Sequence, residues 1–68
     1  MINTNKIKGR IVELGMTQKD IAFALKLALP TISQKINGNR PMTLDEAEKI
    51  ADLLRIKNSQ FSEYFFAQ

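Results

Sequence analysis

Apolar residues recur every three or four positions along almost the whole chain, the spacing that lines up side chains on one face of a helix. Ile7, Ile11 and Leu14 follow i, i+4, i+7 and predict a helix over roughly residues 4–14, capped by Thr4 or Asn3 and stopped by Gly15. Gly9 lies inside that helix and weakens it by up to about 1 kcal/mol relative to alanine. Thr17 followed by Asp20 forms a capping box with aspartate in place of glutamate. It opens a helix from Thr17 to Leu25 whose buried stripe is Ile21, Ala22 and Leu25, with Ala22 small enough to admit a neighbouring helix. Phe23 and Ala24 fall off the stripe, which is an unusual place for a phenylalanine in so short a chain.

The segment LALPTISQKINGNRP, residues 27–41, carries two conflicting signals. Asn37-Gly38 between apolar stretches favours a hairpin. A strand, however, would turn Gln34 to the core between Ile32 and Ile36, whereas on a helix those two isoleucines share one face with nothing polar between them. Pro30 also suits a first helical turn, where its missing N–H has no partner to lose. The pattern therefore predicts a helix from about Leu29 to Asn37, with Gly38 left-handed behind it and Pro41 preventing continuation. Thr43-Leu44-Asp45-Glu46 is a second capping box, opening a helix to Leu54. Its core face would be Leu44, Ala47, Ile50, Ala51 and Leu54, with Asp45, Glu48, Lys49 and Asp52 outside. Asn58 or Ser59 could cap a last short helix containing Phe61, Tyr64 and Phe65. No segment reads as a strand, so the expected class is all-α, five helices in a single domain over residues 1–68.

Sixty-eight residues make a single domain that buries only about 60% of its unfolded surface. The chain has no cysteine and no histidine, which removes disulfides, thiolate metal sites, the commonest metal ligand and the usual neutral-pH general base. With no nucleophile–base pair, metal cluster or phosphate-binding glycine loop, neither an enzyme nor a cofactor is expected. No apolar run approaches the ~20 residues that span a bilayer, and MINTNKIKGR contains no signal-peptide core, so an intracellular protein is expected. The charge is lopsided. Residues 1–41 carry seven cations against two anions, and residues 42–68 carry three against five, or +5 beside −2. A basic half suggests an anionic partner.

A helix to Leu25, a turn at Lys26-Leu27-Ala28 and a helix from Leu29 compose a helix-turn-helix. Here the chain resembles a family: TQKDIAFALKLALPTISQKINGNRP is similar to the DNA-binding unit of phage Cro proteins and lambdoid repressors, the XRE-like group. The resemblance is carried by Thr17-Gln18, Ile21-Ala22, Leu25, Thr31-Ile32-Ser33, Asn37-Gly38 and Leu53-Leu54-Arg55-Ile56. It implies a lambda-repressor-like fold whose second motif helix enters the major groove of double-stranded DNA. Opposite Ile32 and Ile36, the residues expected to meet base edges are Leu29, Pro30, Ser33 and Gln34. Gln34 could pair with adenine through both amide atoms, Ser33 with either kind of base, and Leu29 with a thymine methyl. By resemblance, Thr17, Gln18, Thr31, Lys35, Asn37 and Arg40 would hold phosphates, which set register without reading sequence.

Three departures qualify the match. Lys26 stands where the family often has glycine, Ala28 stands where it has a serine or threonine cap, and Leu29-Pro30 replace polar residues that often read bases. Direct readout is therefore expected to be thin, with DNA shape contributing more. In size the chain looks Cro-like. Phe23, Phe61, Tyr64, Phe65 and Phe66 are candidates for a protein interface, with one or two of the C-terminal aromatics closing the core over the fourth helix. The expected function is a phage or prophage repressor, cytoplasmic in a bacterial host and nucleoid-associated, occupying an operator as a possible homodimer. The alternative is an antirepressor on the same fold that captures a larger phage repressor.

Overall fold

The structure, a computed structural model, describes residues 2–66. Five α-helices build it: α1 (Thr4–Glu13), α2 (Gln18–Leu25), α3 (Leu29–Ile36), α4 (Leu44–Leu53) and α5 (Phe61–Phe65). A single 3₁₀ turn, Asn58–Gln60, leads into α5, and there is no strand among the described residues. Asn3, not Thr4, caps α1, its side chain accepting from the Lys6 amide. Both capping boxes form: Thr17 and Asp20 at α2, Thr43 and Glu46 at α4 each exchange side-chain and backbone hydrogen bonds. Neither Asn58 nor Ser59 caps α5. They are consumed in the 3₁₀ turn, and no side chain caps either that turn or α5.

The four longer helices end alike. At Gly15, Lys26, Gly38 and Arg55 the backbone turns left-handed, with φ of 68°, 58°, 79° and 55°. At each, the next amide reaches back five residues and the left-handed residue's own amide three: Met16 to Ile11 and Gly15 to Val12, Leu27 to Ala22 and Lys26 to Phe23, Asn39 to Gln34 and Gly38 to Lys35, Ile56 to Ala51 and Arg55 to Asp52. This is the Schellman closure, which satisfies carbonyls the helix itself leaves unbonded. Glycine adopts that backbone freely; Lys26 and Arg55 adopt it against a steric penalty.

The core is an isoleucine cluster. Ile7, Ile21, Ile32, Ile36, Ile50 and Leu54 are fully buried, each worth about 1.5–3 kcal/mol in transfer from water. Ala22, Ala47 and Ala51 complete it where α2 packs against α3 and α4. Leu44 was expected on the core face of α4 but, in the helix's first turn, is 59% exposed. Helix α5 packs on α1 rather than simply roofing α4. The Asn3 amide donates to the Tyr64 carbonyl at 2.8 Å, and Lys6 pairs with Glu63 at 2.9 Å while lying over the Tyr64 ring. Hydrogen bonding to Glu63 raises the Lys6 pKa, although the pair is largely in solvent. Phe65 is buried and stacks on Phe61 with centroids 4.7 Å apart. As a candidate interface residue Phe65 is thus corrected: it is core. Phe61 and Tyr64 are half-buried, and Phe66 remains exposed. No helix among the described residues is long and apolar enough to cross a membrane.

Candidate nucleic-acid interface

Ile32 and Ile36 fix the rotation of α3. With those two side chains at zero exposure, the opposite face must point outward, and Leu29, Pro30 and Gln34 are exposed there. Ala28 offers no capping side chain, and Pro30 occupies the first turn. The α3 N-terminus therefore presents a smooth apolar step, Leu29-Pro30, followed one turn later by the free amide of Gln34. Ser33 is half-buried, and its hydroxyl accepts from the Asn37 amide nitrogen at 3.3 Å. A hydroxyl that accepts one bond still has its proton to give.

The flanking residues divide into two groups. Thr17 lies exposed at the α2 N-terminus; its Oγ accepts from the Asp20 amide at 3.2 Å, leaving the O–H to donate. Gln18 is half-buried beside it, and the Asp20 carboxylate in the same turn places a negative charge near any phosphate bound there. Asn37 and Arg40 are exposed beyond the C-terminus of α3, with Arg40 reaching the Thr31 hydroxyl at 3.5 Å.

Lys35 belongs to neither group. Three residues on from Ile32, it is directed at α4, where its ammonium closes an ion pair with Glu46 while only 12% exposed. Glu46 is meanwhile bonded through its other oxygen to the Thr43 amide, as half of the α4 capping box. The Lys35 hydrogen bond, aided by that of the Thr43 amide, holds the Glu46 carboxyl below its usual pKa against the opposing effect of burial. The expected phosphate role of Lys35 is therefore replaced by a structural one: it fastens the end of α3 to the start of α4.

Two further fastenings lay beyond sequence reasoning. The Thr4 hydroxyl donates to the Ile36 carbonyl at 2.8 Å, tying α1 to the last turn of α3. Arg10 Nε donates to the Leu54 carbonyl at 2.9 Å and so closes the end of α4. Thr4 and Glu46 hold α3 without belonging to its exposed face.

Of the seven cations in residues 1–41, Lys6, Arg10 and Lys35 are ion-paired. Lys8, Lys19, Lys26 and Arg40 are exposed and have no carboxylate partner among the described residues.

These features define a small all-α domain in which two short helices, joined by a three-residue turn and packed on each other, present a mixed apolar and amide face at α3. The chain belongs to the family described as a protein of unknown function (DUF739), whose model matches residues 2–68. No curated protein and no solved structure matches it.

Proposed function

We propose that the protein is a sequence-specific double-stranded DNA-binding regulator, a Cro-like repressor that occupies an operator and blocks polymerase or a rival repressor. The single observation that carries this reading is the outer face of α3, where Leu29, Pro30 and Gln34 stand free of the fold on a helix rigidly held by Ile32, Ile36, Thr4 and Lys35. A helix is about 10–12 Å across with its side chains, which matches the ~12 Å major groove. Gln34 would pair with adenine, Leu29 and Pro30 would lie against thymine methyls, and Ser33 would donate to a base acceptor. Thr17, Gln18, Thr31, Asn37 and Arg40 are the remaining phosphate candidates. Such a protein acts in the bacterial cytoplasm, on the nucleoid.

Footprinting on the DNA around its own gene, at stated salt, tests the reading. Protection of a short site is expected, and Gln34→Ala should relax the preference at one base pair, by about 1–3 kcal/mol of discrimination. If no duplex is protected at low salt, or if Gln34→Ala binds every sequence as the parent does, α3 is not the reading element.

A further inference from the structure

The most exposed large apolar side chain among the described residues is Phe23, at 87%, and the proposed DNA-reading face does not use it. Lys19 stands one turn before it on α2, and Lys26 follows at the end of the helix; both are exposed and neither has a carboxylate partner among the described residues. The outer face of α2 is thus an aromatic knob between two cations, left without a partner by the fold. Elsewhere the molecule has a concavity of about 600 Å³ along α4. Asp45, Glu48, Asp52 and Asn58 make its lining mostly polar; of its apolar residues Ala51 and Ile56 are buried and Phe61 is half-exposed. Lys49 also borders it but is paired within the helix to Asp45, at 3.2 Å, which leaves Glu48 and Asp52 without a cation among the described residues.

We propose that these two surfaces recognise each other between copies of the chain: the Phe23 knob of one copy seats in the α4 groove of the next, with Lys19 and Lys26 meeting Glu48 and Asp52. The match rests on charge, two cations for two unpaired anions, with the Phe23 ring set against the half-exposed Phe61 at the edge of a mostly polar groove. Where one knob fills one groove the contact is heterologous and adds copies in one direction; reciprocal seating of both knobs would instead close a two-fold pair. A knob of one ring and two charges makes a small interface, so the association is weak in free solution. It gains strength where neighbouring copies are held close together. None of this depends on the DNA-binding reading.

The test is an amide NMR dilution series of the full chain at low salt without DNA, from millimolar to micromolar. Concentration-dependent shifts are expected around residues 19, 23 and 26 and around 48, 52 and 61, and they should vanish at high salt. Phe23→Ala keeps the groove but lacks the knob; Glu48→Lys with Asp52→Lys keeps the knob but lacks the groove. All three altered side chains are exposed, so the fold is retained, which an unchanged spectrum of the core isoleucines verifies. Each variant alone should stay monomeric, whereas an equimolar mixture should associate and stop at one pair. The proposal is overturned if the parent chain shows no concentration dependence, if Phe23→Ala associates as the parent does, or if the mixture remains monomeric.

Discussion

Four of the described residues adopt left-handed backbone, and two of them are not glycine. Gly15 and Gly38 adopt it without penalty, while Lys26 and Arg55 carry a Cβ against the preceding carbonyl. Arg55→Gly should therefore stabilise the fold, by about 0.5–1 kcal/mol after the entropy that glycine adds to the unfolded chain. Gly15→Ala should do the opposite, losing about 1–2 kcal/mol, even though the new methyl would meet nothing within 4 Å. Gly9 is the internal control. It also has open space around it, but it lies mid-helix in α1 with ordinary dihedrals, so Gly9→Ala should gain about 0.5–1 kcal/mol. Thermal melts resolve all three, since 1 kcal/mol moves the midpoint of a chain this size by roughly 4–8 °C. Equal effects of alanine at positions 9 and 15 would mean that backbone conformation is not what separates them.

At the scale of elements, the ends of the helices were legible along the chain and their mutual fastening was not. A capping box is written within four residues, so Thr17 with Asp20 and Thr43 with Glu46 could be read directly, as could Gly38 behind α3. The burial of Ile32 and Ile36, and hence the outward face of α3, followed from a spacing of four. The Lys35–Glu46 pair spans 11 positions, Thr4 to Ile36 spans 32, and Arg10 to Leu54 spans 44. No periodicity encodes such distances, and Lys35 accordingly read as a phosphate ligand. Leu44 is the converse case: it has the right spacing for the core, but what packs over a helix's first turn is a tertiary fact, and Leu44 is exposed.

The Lys35–Glu46 pair also gives stability a pH dependence of definite sign. A carboxyl whose folded pKa lies below its unfolded one contributes stability that is fully present above the unfolded value and is lost as pH falls through the folded value. Urea titrations should show the parent chain losing stability as the pH drops below about 5, and Glu46→Gln should lower stability at neutral pH and flatten that acid-side slope. Lys35→Ala leaves a mostly buried carboxylate without its cation and should destabilise by about 1–3 kcal/mol. On the proposed DNA-binding reading it should change the slope of log affinity against log salt little. Arg40→Ala should reduce that slope by about 0.9 while leaving stability nearly intact. The reverse assignment of the two phenotypes would restore Lys35 to the DNA.

The described residues measure 28 × 24 × 20 Å, shorter in every direction than the ~34 Å turn of B-DNA. On the proposed DNA-binding reading one copy covers less than one turn, and a single α3 face with an apolar step and one free amide has little from which to build discrimination. On that reading specificity requires a second copy on the same side of the duplex, about 10 base pairs along. The direction of that second site depends on how the copies touch. A two-fold contact inverts the second half-site; a heterologous contact through Phe23 and the α4 groove repeats one operation, so successive half-sites would run in the same direction. Among synthetic duplexes carrying two half-sites, direct repeats one turn apart should bind cooperatively. Inserting about 5 base pairs should abolish the cooperativity by rotating the second site to the far side. Phe23→Ala should bind the two sites of the direct repeat independently, with its affinity for a single half-site unchanged. Cooperative binding to inverted rather than direct repeats, insensitive to Phe23→Ala, would instead assign the contact between copies to a self-complementary surface, and the exposed Leu44 and Phe66, which border one concavity, would be the first place to seek it.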